Sequence, residues 1–193
     1  MKIDPFSPVL HSCYHDLAYR SMLVVGPDRV GKTTLVQHLS SMTGLPSFKC
    51  PSEKEIFKTG GSETLTFDYM LTHFLDQTGY NFISDRSYPC EFVYSRVFNR
   101  KTNDALLKSI DYKHASLGTV IVYVYSADEP EEEDDLVPPG MYGQIKNGYD
   151  IFCSQTKCKV IRIETSQMLA AYKTGLDVSL EFASKIILEV LKS

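Results

Sequence analysis

The sequence predicts an α/β domain with a five-stranded parallel sheet flanked by helices on both faces. Three observations predict it. Short apolar runs alternate with segments of helical spacing from residue 21 onward, the pattern of strand–crossover–strand units. The runs favour β-branched and aromatic residues, most clearly from Thr119 to Tyr125. A glycine-punctuated loop follows the first run directly and opens a helical pattern. At 193 residues the chain has the length of one domain, and a domain of this size builds a core without disulfides or metals. Residues 1–20 read as an N-terminal extension and 21–193 as the domain.

In chain order, Met22 to Val25 is a short buried strand, and Leu35 to Leu39 begins a helix. Leu45 to Cys50 is a second strand, stopped by Pro51. Gly60-Gly61 marks a turn. Residues 62–78 form a helix that places Leu65, Tyr69, Phe74 and Leu75 near one face. Tyr80 to Asp85 is the third strand, and 90–99 and 103–117 are two helices. Thr119 to Tyr125 is the fourth strand, Met141 to Phe152 a helix, Lys159 to Ile163 the fifth strand, and 177–192 an amphipathic closing helix. No internal repeat appears. Between the fourth strand and its helix, Asp128 to Asp135 carries seven acids in eight residues, followed by Pro138-Pro139-Gly140. Such a charge block reads as a solvated loop.

Composition narrows the function classes. The chain is 43% hydrophobic and 23% charged, a globular profile. No apolar run approaches the ~20 residues that span a bilayer, and Met1-Lys2-Ile3-Asp4-Pro5 does not open a signal peptide. The net charge of −4 argues against a general electrostatic grip on nucleic acid. The five cysteines, at 13, 50, 90, 153 and 158, are scattered and form no Cys-x-x-Cys pair. They fit a reduced, cytoplasmic chain, and Cys153 and Cys158 lack the second ligand pair of a zinc site.

Gly26-Pro27-Asp28-Arg29-Val30-Gly31-Lys32-Thr33 matches G-x-x-x-x-G-K-[ST] without a mismatch. The glycines turn successive backbone N–H groups toward phosphate oxygens, and the following helix N-terminus adds partial positive charge. Lys32 reaches the β- and γ-phosphates, the Thr33 hydroxyl holds Mg²⁺, and Thr34 extends the cradle. The strand before and the helix after are the context this motif requires, so the fold class sharpens to a P-loop NTPase fold binding a nucleoside triphosphate with Mg²⁺. The chain has no Asn/Thr-Lys-x-Asp guanine reader, and its third strand ends in Asp85-Arg86-Ser87 rather than Asp-Glu. At a strand's C-terminal end, an acid can organise Mg²⁺ and an arginine can grip a second phosphate.

The phosphate loop together with Asp85-Arg86-Ser87 resembles thymidylate kinase and the related deoxynucleoside and deoxynucleotide kinases, many of them bacteriophage proteins. The landmarks agree in order over residues 21–192. The resemblance implies phosphoryl transfer from Mg·ATP to a deoxynucleoside monophosphate, a thymidylate-like pyrimidine first, in nucleotide biosynthesis, by a cytoplasmic homodimer. It implies that Asp28 bonds the acceptor sugar, that Arg29 stabilises the transferring phosphoryl group, that Arg86 holds the acceptor phosphate and that Asp85 positions the metal or the attacking oxygen. In one branch of the family the arginine comes from the lid instead. Here the lid region, 127–143, has no arginine, which agrees with Arg29 in the loop, and 128–135 is then expected to stay outside the site.

Lys49 and Lys54, flanking Pro51, are candidates for the acceptor phosphate, and each also reads as a solvated lysine. Glu91 and Tyr94 follow the Asp-Arg motif at helical spacing and point to the acceptor pocket. Tyr94 could crowd a ribose hydroxyl or be a half-buried tyrosine with a wet hydroxyl. The sequence also departs from the family. No arginine lies between Arg29 and Arg86 to read thymine, and Cys90 stands where the family has serine. Phe67, Tyr69 and Phe74 could stack on a base, but helical spacing makes them core residues first. Pro51 is preceded by Cys50 rather than a general-base glutamate, with Glu53 two positions late. A monophosphate acceptor needs no strong base, so this favours a monophosphate kinase. The alternatives are a kinase for a deoxynucleoside, or for a modified base in DNA, and a non-catalytic nucleotide-binding module.

Overall fold

A computed structural model describes residues 21–50, 62–129 and 137–192. Five strands, β1 (Met22–Val25), β2 (Ser47–Lys49), β3 (Ile83–Asp85), β4 (Val120–Tyr125) and β5 (Lys159–Glu164), form one sheet. It is parallel throughout, in the order β2-β3-β1-β4-β5. The helices among the described residues are α1 (Lys32–Thr43), α2 (Ser62–Thr78), α3 (Tyr88–Val97), α4 (Asp104–Ser116), α5 (Tyr142–Gln155), α6 (Ser166–Lys173) and α7 (Ser179–Leu191). The predicted architecture is present. No helix among the described residues is long and apolar enough to cross a membrane.

The pleat of β1 divides the core in two. Met22 and Val24 face α1 and α7, where Leu35, Leu39, Ile186 and Ile187 pack on them. Leu23 and Val25 face the opposite layer, with Val93, Ile110, Ile145 and Tyr149 from α3, α4 and α5. Both faces are covered, so β1 and β4 are continuous hydrophobic runs rather than alternating ones. Strand β1 lies between β3 and β4. The chain runs from β1 to the edge strand β2, returns to β3 and then crosses to β4 and β5. The strand order reverses beside β1, which opens a crevice at the C-terminal ends of β1, β3 and β4.

Strands β2 and β3 start two or more residues later than their sequences suggest, for identifiable reasons. Pro46 has no N–H to give to a ladder, and β2 begins one residue beyond it, while its carbonyl accepts from Ile83 N at 2.9 Å. Before β3, Asn81 accepts from the Ser21 hydroxyl at 3.1 Å and Phe82 N donates to that same hydroxyl at 3.2 Å. Side chains therefore take over where strand pairing was expected.

Helix α2 corrects the reading of its aromatic residues. Its buried stripe is Leu65, Asp68, Thr72 and Leu75, whereas Tyr69 and Phe74 are 47% and 49% exposed. They stack sideways, Tyr69 on His73 and Phe74 on Tyr80, and Phe67 is half-buried. Leucines and polar residues at spacings of three and four, not the aromatics, define the buried face of α2. Helix α6 was not anticipated. It is eight residues long and buries Met168 alone, too little for a periodic signal.

Candidate active site

The phosphate loop leaves the end of β1 under tight constraint. Gly26 has φ 147°, and a Cβ there would lie 1.9 Å from the Val124 carbonyl oxygen, so the loop backbone presses directly on β4. Gly31, at φ 83°, ends the loop and caps α1, whose first turn has no acid, as suits a helix N-terminus that meets anions. Between them Arg29 is exposed and held at φ 61°. A non-glycine residue in this region carries about 1–2 kcal/mol of strain. Arg86 is the second such residue, at φ 72°, and Asn99 the third among those described. Two of the three are the arginines singled out from sequence, and strain of this kind concentrates at functional sites.

The side chains converge. Lys32 is 5% exposed, donates through Nζ to the Pro27 carbonyl, and lies 3.8 Å from Asp28 Oδ1. Burial pulls its ammonium below the usual range, with the Asp28 charge opposing. Asp28 also pairs with Arg86 and accepts from the Tyr94 hydroxyl at 2.8 Å. Burial alone would raise the Asp28 carboxyl, but Lys32, Arg86 and Tyr94 together hold it below its ordinary value. The Tyr94 phenol is pushed well above its ordinary range, first by burial and then by the Asp28 charge, so it remains a donor. It is 4% exposed, which replaces the half-buried, wet-hydroxyl reading.

Thr33 Oγ1 donates to Asp85 Oδ2 at 2.7 Å, and the buried Asp85 Oδ1 has no hydrogen-bond partner among the described residues. A hydroxyl oxygen beside an orphaned carboxylate oxygen suits a hard cation. Among the described residues no group of three or more His, Cys, Asp or Glu could hold a metal. Mg²⁺ is typically held by one or two protein oxygens and the phosphates of its substrate.

These groups line a cleft of about 810 Å³, within the usual size of small-molecule sites. Asp28, Arg29, Lys32, Thr33, Asp85 and Arg86 form one wall, with Gly31 and Thr34 between them. Gly26, Pro27 and Val30 are buried behind it. Sequence reasoning missed the other wall, made by Ser126 and by Ser166, Tyr172 and Lys173 of α6. The Thr165 hydroxyl ties that wall to the loop, lying 3.0 Å from the Val30 carbonyl oxygen and 3.1 Å from that of Tyr125. Asp128 and Glu129 also line the cleft, and Glu129 accepts from Gly140 N at 3.2 Å. The start of the acidic segment is therefore at the site, not outside it, and residues 130–136 lie outside the described ones.

Among the described acceptor candidates, Glu91, Tyr94 and Lys49 do not line the cleft. Glu91 is buried and pairs with Arg100 at 3.1 Å. Lys49 is exposed at the end of β2, in register with Asp85. Glu53 and Lys54 lie outside the described residues. Cys90 is buried and accepts from the Tyr149 hydroxyl at 3.2 Å.

No protein-family model matches the chain, and no curated protein sequence does. Solved structures do. The YorR protein of Bacillus subtilis, in complex with phosphorylated GDP, is similar over 88% of this chain and 94% of its own, with 22% identity and a TM-score of 0.65. Deoxyadenosine kinase from M. mycoides with bound dATP matches over 90% of this chain and all of its own, at 18% identity and a TM-score of 0.57. Thymidylate kinase from Ehrlichia chaffeensis covers 91% of this chain, with 17% identity and a TM-score of 0.51. The chain shares the fold of these structures. Shikimate kinases match as well, so the likeness extends beyond the thymidylate kinase family.

Proposed function

We propose that this protein is a nucleotide kinase that transfers the γ-phosphoryl group of Mg·ATP to a deoxynucleoside monophosphate, with thymidylate or another pyrimidine nucleotide as first acceptor. The observation that carries the reading is the position of Asp28. A carboxylate in the phosphate loop is held jointly by Lys32, Arg86 and Tyr94. In this reading Asp28 faces the acceptor beside the transferred phosphate.

The chemistry asked of these residues is positioning and charge neutralisation. Loop amides and Lys32 hold the donor phosphates. Thr33 and Asp85 would hold Mg²⁺, which when bound neutralises charge on the phosphates. Arg29, exposed in the cleft, meets the charge of the phosphoryl group as it detaches, and the lid region contains no arginine to compete for that role. Arg86 exchanges its Asp28 contact for the acceptor phosphate. That phosphate is already an anion at neutral pH, so no general base is required. Tyr94, fixed on Asp28, closes the space beside the acceptor sugar and favours a deoxyribose.

An acceptor screen tests this. With γ-labelled ATP and Mg²⁺ offered to all deoxynucleosides, their monophosphates and duplex DNA, label should move to thymidylate among the monophosphates. Transfer confined to deoxynucleosides would make the protein a nucleoside kinase. Transfer confined to DNA would reject the proposal, and ATP binding without transfer to anything would favour a binding module.

A further inference from the structure

Two of the four residues on the buried stripe of α2 are polar, and one is an acid that the transfer chemistry does not use. Asp68 is 1% exposed. An acid at such a position is costly unless it is partnered. Its Oδ1 accepts from the Ser87 hydroxyl at 2.7 Å, it also accepts from the Tyr88 backbone N–H, and Oδ2 meets no partner among the described residues. Burial pushes the carboxyl up to about 8 against those two donors. The carboxyl keeps its acceptor oxygen in either protonation state.

Both contacts fall on the turn after β3. Tyr88 is the first residue of α3, so its N–H is one of the unpaired donors of a helix start. The Ser87 side chain, at the cap position, makes no cap bond. Asp68 satisfies the helix from a different element. The preceding residue, Arg86, is in the strained left-handed region at φ 72°. Such a conformation persists where its surroundings over-determine it. The sheet pins its two ends, with Arg86 N donating to the Val24 carbonyl at 3.0 Å and the Ser84 hydroxyl to the Arg86 carbonyl at 2.6 Å. Asp68 fixes the next two residues.

We propose that Asp68 is a positioning residue of this site, acting through Ser87 and Tyr88 to lock the turn that aims Arg86 and Asp85 into the cleft. It does not line the cleft. The proposal rests on the kinase reading above.

Asp68→Ala, Asp68→Asn, Ser87→Ala and the Asp68→Ala/Ser87→Ala double variant test it, with kinetics in Mg·ATP and thymidylate. Asp68→Ala should lower kcat by about 10²-fold, the scale of a misplaced reacting group. The KM for ATP should stay within a few-fold, because the phosphate loop is untouched. Asp68→Asn mimics the neutral acid, keeps an acceptor at Oδ1, and should recover most of the rate. Ser87→Ala should lower kcat several-fold and add little in the Asp68→Ala background, since the two act as one unit. An unchanged kcat in Ser87→Ala, or an Asp68→Asn protein as impaired as Asp68→Ala, would overturn the proposal even if Asp68→Ala does not fold.

Amide exchange reads the same lock without turnover. Protection of Tyr88 should fall in Asp68→Asn relative to wild type less than in Ser87→Ala, while ATP still protects the phosphate loop in both. Equal Tyr88 protection in all proteins defeats the lock. An inactive wild type with intact protection defeats the kinase reading instead.

Discussion

Lys32→Ala should lose phosphoryl transfer by at least about 10²–10³-fold, the scale of removing one directed donor from a developing charge. The fold should survive. Lys32 Nζ contacts the Pro27 carbonyl and lies 3.8 Å from Asp28 Oδ1. Asp28 keeps Arg86 and Tyr94 when the lysine is gone, so one carbonyl loses its partner at a net cost of about 1 kcal/mol. For a chain of this length that is about 2–4 °C in Tm. Initial rates with saturating ATP, beside a thermal unfolding curve, separate the two effects. A folded Lys32→Ala protein with wild-type turnover would remove the phosphate-loop assignment.

Arg29→Ala should be the second large loss, about 10³–10⁵-fold in kcat, as found for arginines that stabilise a transferring phosphoryl group. Its effect on KM for ATP should be much smaller, because the charge is needed most as the phosphoryl group detaches. The structure adds a reason to expect this residue to matter. Arg29 is exposed, lines the cleft and holds φ 61°, where glycine would be less strained. Alanine keeps that backbone cost, so the loss of rate should come without a large loss of stability. Steady-state kinetics decide it. If KM for ATP rises and kcat is kept, Arg29 binds the ground state and the branch assignment is wrong.

Where the sequence was legible, the physics was local. Met22 to Val25 is a run of four apolar residues that is buried on both sheet faces, and its bounds come out unchanged. The phosphate loop is legible because glycines, lysine and threonine at fixed spacing have a backbone reason to be there. The Asp85-Arg86 pair is legible because a strand end next to that loop has one place to go.

The failures are equally specific. Tyr69 and Phe74 look like core by hydrophobicity, yet Asp68 and Thr72 occupy the buried stripe. The Asp68 partners Ser87 and Tyr88, on the turn after β3, explain why an acid is tolerated there. Helix α6 was invisible because its task is to present Ser166, Tyr172 and Lys173 to the cleft rather than to bury an apolar face. Glu91 lies at the anticipated helical spacing, but a buried pair with Arg100 claims it, and that partner cannot be read from spacing.

The central claim is that a nucleoside monophosphate receives the γ-phosphoryl group of ATP. Phosphorus NMR of the purified protein with Mg·ATP and thymidylate observes this directly. ADP and the thymidine diphosphate should appear in equal amounts, with a new β-phosphate resonance growing as the thymidylate signal falls. ADP and inorganic phosphate appearing together while thymidylate and every other deoxynucleoside monophosphate stay intact would contradict the account.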